Sequence, residues 1–483
     1  MTSEPIDLLI DDARFILSQD ADRTLLERAS IAVKGNRIVA VGDAGELRRN
    51  YNAERTIDAS ERMVSPGFVN AHSHLESCFD KGLMDDVPLV AYVDRKYGFT
   101  WNTLTQENYY FAAAHTLLSC LKTGTTTIAD CGTIPPLEDS VVRAVRDIGA
   151  RGVLARMMMD IHETDIPGRL QEDTTQCLDN TEAFIKENHL SAEGRVVAAL
   201  DIQQVCNSSN ELIAGIMDLA ERYDLGIQTH AAVNFEVVEF TRHRTGMRDI
   251  EYLHHLGILG PRMVLGHSSW VDVNEIFLMK DMGAHVAHVP GSSLHGLYGS
   301  LNASSAIPEL VQAGVNVGLG NDETNTGTCH DMVREMYLVV GVHAEARRTV
   351  VSPDTDLFQI PTGATSSTVL DMATINGAKA LQLGDEIGSI EVGKKADLVL
   401  WDLTSYEWIP TTRLNLISNF VFNATGRSAR TVIVDGTPVI DDYKLTTMDE
   451  GEILRTCQEF GEQIQPTAPW IKDPEEWKLR WVK

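Results

Sequence analysis

Cysteine is sparse and unpaired in this chain: seven residues, at 78, 120, 131, 177, 206, 329 and 457, with no Cys-x-x-Cys. An odd count at wide spacing argues against a disulfide framework and for reduced thiols that pack as small apolar groups. Basic charge is short as well, with 41 Lys and Arg against 69 Asp and Glu, a formal net charge of −28. The acids are scattered rather than gathered in a tail. That balance argues against nucleic acid and anionic membranes as partners. No run of about twenty apolar residues is present, so no helix is expected to span a bilayer. The first seven residues are acidic and lack the basic and apolar regions of a signal peptide, and the expected location is cytoplasmic. Low-complexity segments and internal repeats are missing too.

What remains is an apolar content of 43% in 483 residues, enough for one large domain with a smaller one, or for three small ones. Residues 1–62 read as a β-rich unit, with short apolar or alternating runs at 6–10, 29–33, 37–41 and 55–58. Lys34-Gly-Asn-Arg37 supplies a turn between two of them. From residue 63 the texture becomes strands alternating with helices. Strands are expected at 64–70, 125–130, 152–159, 195–202, 227–230, 263–267, 285–290 and 315–322, with amphipathic segments between them. Gly124, Gly149, Gly226, Gly257, Gly283 and Gly314 follow those segments, where a left-handed helix cap is wanted.

Strands alternating with helices imply a parallel sheet covered by helices, and eight units over roughly 260 residues fit a closed (β/α)8 barrel. An open doubly wound sheet is the rival, but its first strand would be expected to lead into a glycine-rich phosphate loop. Here the first strand runs into Asn70-Ala-His-Ser-His74. A helix at 367–383 follows the barrel, and strand texture returns through 388–402, 429–434 and 439–440. The expected organisation is an α/β protein: a barrel at 63–384 and a small discontinuous β-sandwich built from 1–62 and 385–445. A C-terminal helix and tail occupy 446–483.

The chemistry gathers at strand ends. His72 and His74 are one residue apart, so in an extended chain they share a face. Later strands end in His230, His267 and Asp322. In a barrel of this kind, residues at strand C-termini converge on one mouth. Imidazole and carboxylate together suit zinc or another first-row metal. Any one of these histidines alone would more often be a packing residue, but five such residues at four strand ends point to a metal centre.

At these residues the chain resembles the amidohydrolase superfamily, in Pro66-Gly-Phe-Val-Asn-Ala-His-Ser-His74, in Ala373-Thr-Ile-Asn-Gly-Ala-Lys-Ala-Leu381 and in Gly388-Ser-Ile-Glu-Val-Gly-Lys-Lys-Ala-Asp-Leu-Val399. The likeness spans nearly the whole chain and is nearest to the branch of cytosine deaminase and atrazine chlorohydrolase. It implies a barrel with a composite β domain and one divalent metal, zinc in preference to iron, held by His72, His74, His230 and Asp322. It places His267 beside the substrate and implies a homo-oligomer. No lysine ends the fourth strand, where the two-metal branch carries a bridging carboxylated lysine.

Three imidazoles and a carboxylate leave a coordination position for water, whose pKa a divalent ion lowers. Asp322 then accepts the water's proton, and His267 donates a hydrogen bond where charge develops. The chain leaves the deaminase pattern twice. The strand-five histidine usually opens His-x-x-Glu, but Val233 stands at that glutamate, and Glu236 is the nearest replacement for the proton shuttle. Ile202-Gln203-Gln204 replaces the usual Pro-His after strand four. Substrate contacts are expected from Glu76, Gln203, His288, Glu323 and Thr326. Met157–Met159, Tyr92, Tyr97 and Trp101 are candidates for an apolar wall.

The expected function is metal-dependent removal of an amino group from a small nitrogen heterocycle. Two alternatives stand beside it: hydrolysis of a carbon–halogen bond or a urea or carbamate C–N bond, and, more remotely, a non-catalytic metal-bound binding protein.

Overall fold

Gly67 is where the chain leaves one sheet for another. Arg62–Pro66 belongs to a mixed sheet and Phe68–His74 to a parallel one, so the single strand expected at 64–70 is two. A Cβ at Gly67 would lie 2.1 Å from Oγ1 of Thr126, so only glycine lets the backbone cross at this point. The computed structural model describes residues 3–84, 87, 89–162, 167–296, 298–299, 301, 305–326, 329–349 and 364–470.

The mixed sheet has nine strands drawn from both ends of the chain. Glu4–Leu17, Leu25–Lys34, Arg37–Asp43, Tyr51–Asp58 and Arg62–Pro66 supply one half. Leu398–Asp402, Ala429–Val434, Thr437–Asp441 and Lys444–Leu445 supply the other. The two join through an antiparallel ladder in which Leu398 faces Pro66 and Asp402 faces Arg62. The two halves also meet through their turns, where Asn36 Nδ2 donates to Asp435 at 3.2 Å, and Ile31, Val33, Val64, Leu398 and Ile433 share one core. Neither half buries that core alone.

The parallel sheet is the barrel. Its strands are β1 (Phe68–His74), β2 (Thr125–Thr133), β3 (Arg151–Arg156) and β4 (Val196–Gln204), followed by β5 (Ile227–Ala231), β6 (Met263–His267), β7 (His285–His288) and β8. β8 comes in two pieces. Asn316–Leu319 pairs with β7, and Asp322–Glu323, two residues on, pairs with β1 and closes the ring. Small residues line the interior, among them Ala71, Ala129, Ala155, Ala199 and Ala287, with Ala378, Leu381 and Ile387 packed against them.

Most expected helix ends are as drawn, with Gly149, Gly283 and Gly314 as left-handed caps. Gly226 is not one: Asp224, at φ 57°, caps Asn210–Tyr223 instead, since aspartate tolerates that region. The expected helix after the barrel is Ser366–Asp371, a π-turn at Met372–Asn376, and Gly377–Ala380. Glu450–Ile464 is the C-terminal helix, and Trp477 and Trp481 lie outside the described residues. Among the described residues no helix is long and apolar enough to cross a membrane, and all seven cysteines are free thiols.

Arg151, on β3, ties the barrel to the mixed sheet. It makes a buried two-pronged contact with Asp397 at 2.9 Å for each prong and a third, partly buried bond to Asp435 at 3.1 Å.

Candidate active site

A β-bulge aims the first two histidines. Along β1, Val69 and Ala71 face the barrel interior, so strict alternation would turn His72 and His74 outward. The register with β2 slips between Asn70 and Ser73: Asn70 faces Ile128 and Ser73 faces Asp130, three residues against two. The extra residue reverses the faces and brings both imidazoles inside, a known use of bulges at barrel rims. Two glycines make room for His72. A Cβ at Gly266 would lie 2.8 Å from its Cε1, and one at Gly320 would lie 2.6 Å from its carbonyl oxygen.

β5 delivers His230 facing inward. β6 ends in His267 and the second piece of β8 opens with Asp322, both with left-handed backbone, φ 68° and 62°. Such a conformation costs about 1–3 kcal/mol per non-glycine residue and gathers at functional sites.

The five side chains meet. Nε2 of His74 and Nε2 of His230 are 3.1 Å apart. Oδ1 of Asp322 is 3.5 Å from Nε2 of His74 and 3.8 Å from Nε2 of His72, while Oδ2 is 4.0 Å from Nε2 of His267. His72 centres the group, its ring 4.8 Å from that of His230 and 5.1 Å from that of His267.

Burial holds His72 and His230 down at about 3, and His74 and His267 well below the ordinary imidazole value. All four are therefore neutral, the form that ligates metals. His230 has its tautomer set: Nδ1–H donates to the Gln203 carbonyl at 2.7 Å, which leaves the Nε2 lone pair free. Ser292 Oγ donates to Oδ2 of Asp322 at 2.5 Å and orients the carboxylate. Nε2 of His72 is buried with no hydrogen-bond partner. A buried, unpartnered nitrogen amid neutral imidazoles and one carboxylate is what a divalent ion satisfies, so the donor set fits zinc.

A cavity opens over these groups. Gln203, Gln204, Glu323, Tyr92, Tyr97 and Lys96 line it on the polar side. Leu89, Val93, Val233 and Tyr298 form an apolar wall, and the ring of Tyr298 stands edge-on to His267 at 5.5 Å. Trp101 stacks on Tyr97 at 3.9 Å, behind the surface. Met157–Met159 are buried in the main core instead of lining this cavity.

Other expected site residues divide. Gln203 and Glu323 face the cavity. Glu76 is fully buried one layer behind it, paired with Lys96 at 2.9 Å. The side chain of Thr326 lies outside the described residues. The structure does not bring Glu236 to the cluster. It is exposed in the first turn of Phe235–Thr245, while Val233 takes the cavity wall. One acid at a helix N-terminus answers the helix dipole, and that is the role left for Glu236. His288 is also displaced: Ala287 faces the barrel interior, so alternation turns His288 outward against His343, ring to ring at 5.6 Å.

Sequence reasoning missed Lys96 and Asp130. Lys96 opens a π-helical turn, Lys96–Thr100, and contacts both Glu76 and Glu323. π-turns often mark functional sites, but this one has no signature in sequence. Asp130, in the C-terminal half of β2, accepts the Leu75 N–H at 3.0 Å and fixes the loop after His74. Burial first, then the neighbouring Glu76, raises it to about 7. In sequence it is the last residue of the strand expected at 125–130, an acid at a strand C-terminus.

Known proteins place this geometry. Over 462 residues the chain is 30% identical to the 5'-deoxyadenosine deaminase of Methanobrevibacter smithii, covering 95% of this chain and 99% of that one. It is 29% identical over 469 residues to the 5-methylthioadenosine/S-adenosylhomocysteine deaminase of Syntrophobacter fumaroxidans, covering 96% and 100%. Among solved structures, a zinc-bound adenosine deaminase from Xanthomonas campestris superimposes with a TM-score of 0.85 at 24% identity, over 96% of this chain and 100% of that one. The zinc complex of atrazine chlorohydrolase from Arthrobacter aurescens gives 0.84 at 23%, over 94% and 100%, and these two likenesses establish the barrel fold. The profile of the Amidohydrolase family matches residues 63–439, from the strand before the His72–His74 pair to the returning mixed-sheet strands, and the chain belongs to that family.

Proposed function

We propose that this protein is an aminohydrolase that removes an amino group from a small nitrogen heterocycle at a single divalent centre, zinc in preference to iron. The carrying observation is the convergence of four neutral imidazoles and Asp322 under one cavity, with Nε2 of His72 buried and unpartnered. His72, His74, His230 and Asp322 would hold the ion. A divalent ion there supplies a hydrolytic nucleophile at neutral pH by acidifying water.

The chain's own residues do the rest. Asp322, held through Ser292, takes the proton of the attacking water. His267 donates a hydrogen bond to the ring atom that gains charge and relays to the leaving group the proton that Asp322 took from the water, ending neutral as it began. Gln203 and Glu323 hydrogen-bond the polar edge of the heterocycle. Glu76 supports that edge from behind through Lys96. Leu89, Val93, Val233 and Tyr298 exclude water from the other edge. The two deaminase relatives place 5'-deoxyadenosine, 5-methylthioadenosine and S-adenosylhomocysteine first on the list to test.

A second reading, displacement of a leaving group that needs little protonation, such as chloride, is favoured by one observation. The cavity position that carries a carboxylate in the deaminase pattern holds Val233. Turnover of those adenosine derivatives, aminopyrimidines and chloro- and aminotriazines, scored for ammonia, chloride and amine, separates the two. Ammonia release supports the first reading, and chloride or alkylamine release alone overturns it.

We read residues 1–62 with 385–445 as one composite unit, 63–384 as the catalytic barrel and 446–483 as an extension. The ladder from Leu398 to Asp402 and the Arg151 contacts support this division. Seven free thiols support a cytoplasmic location. The exposed Tyr406, Ile409 and Leu414 support a homo-oligomer.

A further inference from the structure

Glu76, Asp80, Asp130 and Glu323 are all buried beside the candidate metal donors. Two of them are answered by hydroxyl and backbone donors: Asp80 by Thr100 Oγ1 at 2.7 Å, and Asp130 by Thr133 Oγ1 at 2.5 Å and the Leu75 N–H at 3.0 Å. The other two share one cation, while Glu323 Oε2 also accepts from the Tyr92 hydroxyl and Glu76 Oε1 from Trp101 Nε1–H at 3.4 Å. Nζ of Lys96 is 2.9 Å from Oε1 of Glu76 and in direct contact with Oε1 of Glu323. Oε2 of Glu76 remains buried without a partner.

Glu323 also belongs to a second donor group. One ligand atom each from His74, Asp322 and Glu323 lie within 4.8 Å of one another, spacing that a divalent ion could bridge. That group shares His74 and Asp322 with the centre described above. Glu323 is its added donor, and Glu323 is the carboxylate that Lys96 holds.

We propose that Lys96 is an internal counter-cation standing where a second divalent ion would otherwise bind, and that its ammonium keeps the centre mononuclear. The proposal rests on the metal-centre reading above. Three physical effects act together. The ammonium engages Oε1 of Glu323, a donor atom that a second ion would need. It supplies the positive charge that two buried carboxylates require. It also repels a second cation across a short, poorly screened distance. Lys96 is thus a positioning residue, fixing Glu323 on the cavity wall.

The test is metal stoichiometry, which needs no substrate. Wild type, Lys96→Met and the double variant Lys96→Met/Glu323→Gln are equilibrated in zinc-buffered solution, and zinc per folded chain is measured by plasma mass spectrometry. The proposal expects one, two and one ion respectively, with thermal stability of Lys96→Met rising as zinc is added. Wild type with no ion would overturn the metal-centre reading itself. Wild type with one ion and Lys96→Met also with one would overturn this proposal alone, as would two ions in wild type or in the double variant. Lys96→Met is at risk of misfolding because it leaves carboxylates unpaired, so it is also produced with zinc in the growth medium. If it stays unfolded there while the double variant folds, a second ion cannot replace the ammonium and the proposal fails.

Discussion

His230 gives its Nδ1 proton to the main-chain carbonyl of Gln203, 2.7 Å away, and so turns a bare Nε2 toward His74. The donor is a side chain of β5 and the acceptor is backbone of β4, so mutation at position 203 does not remove it. Purified protein is expected to carry about one tightly bound divalent ion per chain. His72→Ala, His230→Ala and Asp322→Ala should each lower occupancy and abolish activity, and chelation should lower the melting temperature. Elemental analysis alongside activity checks this, and full activity in metal-free protein would refute it.

Ser292→Ala removes the hydroxyl that donates to Oδ2 of the Asp322 carboxylate. Loss of such a supporting bond typically weakens metal affinity or activity by about 10–100-fold. Competition with a zinc chelator should show that drop while circular dichroism stays unchanged.

His267→Asn should lower kcat by roughly 10²-fold or more, the usual scale for a lost general acid or base, with metal content retained. Glu236→Gln should leave kcat unchanged, because Glu236 is exposed and away from the cavity. A large loss in Glu236→Gln would mean that the helix at Phe235–Thr245 moves during turnover.

Arg151→Ala leaves Asp397 and Asp435 without their main cation at the junction of barrel and mixed sheet. Breaking a buried pair from one side costs about 3–5 kcal/mol. Denaturant unfolding should show that loss.

Asp249 supplies a pH test away from the metal. Burial raises its carboxyl to about 7, against an ordinary value near 3.8. It pairs with Thr241 Oγ1 at 2.5 Å and the Ala232 N–H at 3.2 Å. A folded value above the unfolded one means that the unfolded chain releases the proton first as pH rises. Its stabilising contribution is therefore complete below about 3.8 and is lost progressively up to about 7. Asp249→Asn should show no such slope, so wild type minus variant stability should fall with pH across that window. A flat difference would contradict the raised value.

Local pattern in the sequence was enough for the alternation of strands and helices, the barrel count, the return of the C-terminal strands and the five strand-end residues. Each of these depends on short-range periodicity, or on residue type at the end of an element. Which way a side chain faces at a strand end is a different kind of fact. The bulge at Asn70–Ser73 turns His72 and His74 inward, and plain alternation turns His288 outward. A single-residue change of register reverses a face, and register is set by the neighbouring strand rather than by the residue itself. Glu236 failed as a sequence inference for a related reason, since nearness along the chain did not survive the start of a helix. Lys96 was illegible because its meaning lies in two carboxylates, Glu76 and Glu323, of which the second is more than two hundred residues away. The sequence by itself determined the elements and the chemical inventory of the mouth. Tertiary structure alone decided which members of that inventory share the buried space, because burial and charge pairing are properties of neighbours in space.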